Sequence, residues 1–263
     1  SFGGVLYFTG GMTSSSSLLI NKFFSSVDGQ TQNWLNKFKE TDAFESIVDS
    51  LDKISNLKVL ILGETIIDQY TFCRPLAKSS KDPILAFQQC ETNYFPGGVL
   101  AIANSCSNWA SKTKIITFAG INDKILGSFS NKGNSNIDCE FILANDRPTI
   151  LKHRYVDMAS STRVFEYYDF SERELAPEVI DNISTSILTQ IGNFDLVVAA
   201  DYGHGYFSKS IISLIESKSS FLGINTQSNA GNRGFNTIAK YSKVDLISIN
   251  GSELQLELRG SKS

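Results

Sequence analysis

Histidine is scarce: the chain has only His153 and His204, too few for a histidine-rich zinc site. Its four cysteines (Cys73, Cys90, Cys106 and Cys139) never form a C-x-x-C pair, so reduced, mostly buried thiols are expected rather than a disulfide framework or a metal centre. There is no basic excess. Lys and Arg total 24 against 27 Asp and Glu, a net charge of −3 and a pI near 5.5, which argues against a nucleic-acid partner. No uninterrupted apolar run approaches the ~20 residues of a membrane helix. No charged, then apolar, then small-residue leader opens the chain, so the expected compartment is the cytoplasm and no membrane partner is expected. What remains is globular: 263 residues, 41% hydrophobic and 11% aromatic, enough for one substantial core or somewhat more.

The texture changes along the chain. Residues 1–24 read as a strand, a serine run (Ser14 to Ser17) and an apolar helical stretch. Residues 25–55 carry Trp34, Leu35, Phe38, Phe44, Ile47, Val48 and Leu51 at helical intervals and read as a helical linker. From Leu57, apolar strands alternate with helices. LKVLIL is a buried strand ending at Gly63 before an acidic turn; KIITFAG, FDLVVAA, SFLGIN and VDLISIN are further core strands. GGVLAIANSC, PEVIDNISTSILTQI, SIISLIESK and SELQLELR are the helices. This alternation predicts an α/β fold with a mostly parallel sheet flanked by helices. Residues 84–95 and 147–169 are rich in strand formers without an intervening helix and predict a small accessory β-sheet.

In such sheets ligands bind beyond the carboxyl ends of the strands. Polar residues recur there: Glu64 and Asp68; Gly97 and Gly98 with Asn104; Asp201, Tyr202, Gly203 and His204; Asn225, Thr226, Gln227 and Asn229; Asn250 and Glu253. Each alone is an ordinary turn former, but repeated carboxylates and amides suit a hydroxyl-rich ligand.

GETIIDQY, the PGG turn with its helix, RPTILKHR, VVAADYGHG and the Asn-x-x-Glu of INGSE stand in the order found in ribokinase-like (PfkB) carbohydrate kinases. The chain most resembles the branch of heptose-7-phosphate kinases of ADP-heptose synthesis. NTQSN and GFNTIAKY resemble the sub-branch in which a nucleotidyltransferase domain precedes the kinase, and FTGGMTSSSSLLIN resembles the close of that domain. The resemblance implies three parts: residues 1–24 as a nucleotidyltransferase remnant, 25–55 as linker, and 56–263 as the sugar-binding part of a kinase domain. Both ends read as cut from something longer.

Residue by residue, the resemblance places Asp68 on substrate hydroxyls and Gly97 and Gly98 where backbone approaches the sugar. Lys152 and Arg154 would hold a phosphate the substrate already carries. Asp201 and His204 would position substrate, with Asn225 nearby. Asn250 and Glu253 would organise Mg2+ and its waters near ATP, Glu253 in an outer position. Ala101 stands where relatives carry an asparagine, with Asn104 one turn on, which leaves the sugar open: ribose, fructose phosphate and nucleosides stay alternatives, as does a non-catalytic sugar-phosphate-binding protein. The Gly-Ala-Gly-Asp segment that supplies the family's base and anion hole does not occur in the sequence, nor does a G-x-x-x-x-G-K-[ST] loop. The implied catalytic aspartate therefore lies outside the chain, and little or no turnover is expected of it alone. The accessory strands would form a lid and, through exposed aromatic residues, a homodimer contact.

Overall fold

A computed structural model describes residues 27–41, 43–120, 136–229, 231–232 and 234–260. The strand, serine run and nucleotidyltransferase-like segment expected in residues 1–24 lie outside them. Two compact units divide between Asp52 and Lys53. In the first, α1 (Gly29–Lys39) is capped by Asp28, whose carboxylate accepts Gln30 N–H at 2.8 Å and Thr31 N–H at 2.9 Å. The expected helical stretch is not continuous: α1 ends at Lys39 and α2 (Ala43–Ile54) starts anew.

The second unit is built on a six-stranded sheet, in the order β10-β9-β8-β1-β4-β5. Its strands are β1 (Lys58–Gly63), β4 (Lys112–Gly120), β5 (Ile137–Ala144), β8 (Leu196–Asp201), β9 (Leu222–Thr226) and β10 (Leu246–Ile247). Every pairing is parallel. The central strand shows why. Val59, Leu60, Ile61 and Leu62 are all 0% exposed, and a strand with such a run must be covered on both faces. Leu60 and Leu62, with Ile116 and Phe118 of β4, meet α4 (Pro177–Gln190) and α5 (Lys209–Lys218) through Ile183, Ile187, Ile211 and Ile215. Val59, Ile61 and Ile115 point the other way, onto Val99, Leu100 and Ala103 of α3 (Val99–Cys106). Pro177 at the first turn presets α4, and the Ser208 side chain caps α5.

The accessory sheet has four strands in the order β3-β2-β6-β7, comprising β2 (Thr65–Lys78), β3 (Leu85–Gly98), β6 (Ile150–Asp157) and β7 (Thr162–Asp169). The fold class is as expected, with three corrections. Of the core strand expected in VDLISIN only Leu246–Ile247 pairs, as the edge strand β10, and both side chains are exposed. No acidic turn follows Gly63: after Glu64 the chain runs straight into β2, 14 residues long, because Ile66, Ile67 and Thr71 are buried against neighbouring strands. Strand β5 was not anticipated, since its charged Asp138 and Glu140 hide the pattern; both accept the ammonium of Lys114 at 3.0 Å.

β1 is where the sheet changes direction: the chain builds outward through β4 and β5, then returns to β8 on the other side. The carboxyl ends of β1 and β8 flank this switch point, and β2 rises from it to carry the accessory sheet. No described helix is long and apolar enough to cross a membrane. Because Ile183 is 0% exposed in the larger core, Ile183→Ala should destabilise the fold by roughly 2–5 kcal/mol, measured by chemical denaturation.

Candidate functional site

The first residue beyond the central strand is Glu64, which is fully buried. Its carboxylate accepts the backbone N–H of Tyr202 at 3.0 Å, of His204 at 3.0 Å and of Tyr206 at 3.4 Å, tying down the loop after β8. Burial, and next the Asp201 carboxylate, raise its pKa to about 7 against the pull of those donors. Its carbonyl receives Val99 N–H at 3.2 Å, which fixes the start of α3. Gly98, with φ at +54°, sits so close to that carbonyl that a Cβ would lie 2.4 Å from the oxygen; a Cβ on Gly97 would lie 2.7 Å from Asp68 Oδ2. The glycine pair thus lets backbone pass directly over Glu64 and Asp68.

Asp68 stands on β2 in register with Lys152 on β6, and Lys152 with Tyr168 on β7. Arg154 donates to Asp68, lies 3.4 Å from Glu166 Oε2 and covers the Tyr70 ring at 5.4 Å. These side chains share one face of the accessory sheet because strand neighbours two apart point the same way. Arg154 is therefore bracketed by two carboxylates. Burial opposes its charge most, but the Asp68 hydrogen bond together with the charges of Asp68 and Glu166 outweighs it and the pKa rises. Lys152 differs. It is 7% exposed, its ammonium lies 5.2 Å from the Tyr168 ring centre, and among the described residues no carboxylate comes within ion-pair distance. Burial lowers its pKa, with Asp68 pulling the other way.

His204 sits beside Lys152 at 7% exposure, edge-on to Phe170 at 5.1 Å, and neither ring nitrogen has a hydrogen-bond partner among the described residues. Burial, then the Lys152 charge, lowers its pKa to about 4, while Asp201 acts in the opposite sense. The imidazole is neutral at pH 7, with one donor and one acceptor nitrogen. It lines a hollow of about 370 Å3 together with Phe170, Glu172, Arg173, Gly203 and Gly205.

Asp201, expected beside the ligand, is 1% exposed and turned inward. Tyr241 donates to it at 2.7 Å, Gly203 N–H at 3.0 Å, and Lys240 closes an ion pair. It anchors its loop. Asn225 reaches β10 instead of the Asp68 cluster, donating to the Ser248 carbonyl at 2.6 Å. Asn104 lies exposed on α3, its carbonyl taken by Ser107 and Asn108. Asn250 and Glu253 form a capping box at the start of α6 (Gly251–Gly260): Asn250 Oδ1 accepts Ser252 and Glu253 N–H at 2.9 Å, and Glu253 Oε2 accepts Asn250 N–H at 2.8 Å. The other Glu253 oxygen accepts Ser228 N–H at 2.9 Å. Each Glu253 oxygen retains a lone pair, and no cluster of three or more metal-ligating side chains occurs among the described residues. The structure thus gathers Asp68, Gly97, Gly98, Lys152, Arg154 and His204, and places Asn225, Asn250 and Glu253 together at the neighbouring strand ends.

Glu166, Tyr168, Tyr70 and Lys240 were absent from the sequence-derived set. The alternation in RVFEYYDF marks Glu166 and Tyr168 as sharing a face, but only the strand register shows which face.

No family model matches the chain. It is similar to Bifunctional protein HldE of Gluconacetobacter diazotrophicus, 23% identical over 203 residues that cover 76% of this chain and 40% of that protein. A protein of the same name from Campylobacter jejuni is 25% identical over 198 residues, covering 74% and 40%. The chain thus spans about 40% of the length of these curated relatives. Among solved structures, the tetrameric inhibited form of Escherichia coli phosphofructokinase-2 superposes with a TM-score of 0.58 at 13% identity, covering 77% of this chain and 64% of that one. A carbohydrate kinase from Agrobacterium tumefaciens superposes with a TM-score of 0.52 at 12% identity, covering 76% and 62%. This likeness establishes the ribokinase-like fold.

For His204, a depressed folded-state pKa means that the unfolded chain takes up the proton first. Its contribution to stability is complete above about pH 6.5 and is lost as the pH falls through about 4. His204→Gln should therefore remove part of the acid sensitivity, up to roughly 3 kcal/mol between those limits, read as the difference between the two proteins' denaturation curves.

Proposed function

We infer that this chain belongs to the ribokinase-like carbohydrate kinases, on the HldE branch, and forms the sugar-binding part of such an enzyme. The parent protein would phosphorylate, from ATP, a sugar that already carries a phosphate, of the heptose 7-phosphate kind, for nucleotide-sugar and surface-polysaccharide synthesis. The observation that carries this reading is Lys152: a buried cation with no ion-pair partner among the described residues, on the sheet face that also holds Asp68 and Arg154. A buried ammonium is costly without an anion, and a substrate phosphate supplies one.

On this reading each residue has a role. Lys152 holds the substrate phosphate as a point charge. Arg154, already neutralised by Asp68 and Glu166, keeps the Asp68 carboxylate oriented toward sugar hydroxyls, with a guanidinium edge left for phosphate. Gly97 and Gly98 let the sugar approach backbone, and the neutral His204 ring offers one donor and one acceptor to hydroxyls once it turns toward the hollow. Asn250 and Glu253 fit Mg2+ only through water, so the ion would take its direct ligands from ATP phosphates and solvent. Bound Mg-ATP supplies the phosphoryl group. The base and anion hole of the Gly-Ala-Gly-Asp segment are not among these residues, so we assign sugar-phosphate binding without appreciable turnover to the chain alone. We also propose that the accessory sheet covers the sugar as a lid. Its opposite face carries stacked His153, Tyr155, Phe165 and Tyr167, with Phe165 53% and Tyr167 45% exposed, which supports a homodimer contact there. The expected setting is the cytoplasm.

A second reading keeps the phosphate and changes the sugar: a solved structure of Escherichia coli phosphofructokinase-2, which shares the fold, holds fructose-6-phosphate. Thermal-shift titration separates the readings. Heptose 7-phosphate should stabilise the protein more than fructose 6-phosphate, and either more than the free sugars. Lys152→Met should weaken phosphosugar binding about 10–100-fold while leaving free-sugar binding nearly unchanged. A preference for free sugars, unaltered by Lys152→Met, would overturn the assignment.

A further inference from the structure

The β2–β3 ribbon contains a β-bulge that the kinase reading does not use. Phe72 faces Glu91 and Cys73 faces Gln89, so Cys90 is the extra residue between them. Side-chain contacts define the faces. Gln69 Nε2 donates to Thr71 Oγ1 at 3.1 Å, the Thr71 and Thr92 hydroxyls lie 3.5 Å apart, and Gln89 Nε2 donates to Thr92 Oγ1 at 3.0 Å. Gln69, Thr71, Gln89 and Thr92 thus share one face. Cys73 is two residues beyond Thr71, and Cys90 two before Thr92, so both belong to that face as well. Glu91 points the other way, accepting Asn93 Nδ2 at 2.8 Å. The bulge sets both Gln89 and Cys90 opposite Cys73, which brings two thiols together across an antiparallel pair.

We propose that Cys73 and Cys90 form a reversible disulfide across this bulge, making the accessory sheet a site of thiol oxidation. The register partner of Cys73 is Gln89, at the ~4.5–5.5 Å Cα spacing of opposed antiparallel residues, and Cys90 is its bulged neighbour on the same face; a disulfide spans Cα separations of ~4.4–6.8 Å. Neither sulfur is committed elsewhere: each has only a weak contact of 3.6 Å to a carbonyl on its own strand. Their proximity is also felt electrostatically, since burial and then the Cys90 thiol raise the pKa of Cys73. Exposure sets the order of events, because Cys90 is exposed and Cys73 is buried. The Cys90 thiolate attacks a low-molecular-weight disulfide, releasing one thiolate and leaving a mixed disulfide. The Cys73 thiolate then attacks the Cys90 sulfur and expels the second thiolate. Two protein thiols are oxidised, two protons leave, and the small disulfide is reduced to two thiols. Cys106 on α3 and Cys139 on β5 have no part in it.

The test is to incubate the full chain with oxidised glutathione, unfold it in alkylating reagent and map peptides without reduction. The proposal predicts a Cys73–Cys90 cross-linked peptide, loss of two of the four alkylatable thiols, and full recovery with dithiothreitol. Cys90→Ser, at an exposed position, should leave its three remaining thiols alkylatable. Glutathione retained on Cys90 with Cys73 alkylated, a covalent dimer through Cys90, or four unchanged thiols would each overturn it.

Discussion

The candidate site rests on one buried carboxylate. Glu64 is the first residue past the central strand, and it holds three things in place. Its side chain gathers the N–H groups of Tyr202, His204 and Tyr206, its carbonyl receives the first N–H of α3, and its chain continues directly into the accessory sheet. A buried carboxyl without donors would be strongly destabilising, and backbone donors without an acceptor equally so; each satisfies the other. This reciprocity fixes the loop after β8 against the glycine turn at Gly97 and Gly98, at the switch point of the sheet.

From that anchor the loops are tied outward. The Tyr202 carbonyl accepts Asn229 Nδ2 at 2.9 Å and Asn232 Nδ2 at 2.8 Å, Asp201 binds Lys240 and Tyr241, and Ser228 N–H meets Glu253. Many of the polar strand-end residues are therefore spent on one another. Among the described residues, the Lys152 ammonium without an ion pair and the unpaired His204 ring are left over. In a cluster where Arg154 already has Asp68 and Glu166, Lys152 is the cation without an ion pair among the described residues, which is why the proposed phosphate-holding role falls on one residue instead of a shared pair.

Much of the fold was legible because its strands are buried on both faces. Continuous runs such as VLIL and VVAA fit a strand covered by helices on both sides of a parallel sheet. β2 was hidden by Gly63, Glu64 and Asp68, residue types that mark turns; here Glu64 is buried and Asp68 sits mid-strand in an ion pair. β5 was hidden by the two acids that neutralise Lys114. For the site, the sequence pointed to strand ends but not to their pairings. Asp68 and Arg154 are 86 residues apart, and only the β2–β6 register makes them partners. Asn-x-x-Glu spacing has a local cause of its own, since a capping box at α6 requires it, and the proposed role near a nucleotide would add to that cause instead of replacing it.

The most direct measurement is the 31P resonance of heptose 7-phosphate titrated with this chain at neutral pH, compared with inorganic phosphate. Saturable shift and broadening of the sugar-phosphate signal, and only a weak effect on inorganic phosphate, is the predicted result. A resonance unmoved at protein concentrations well above millimolar, or one that responds equally to inorganic phosphate, would contradict a site built to seat a phosphorylated sugar.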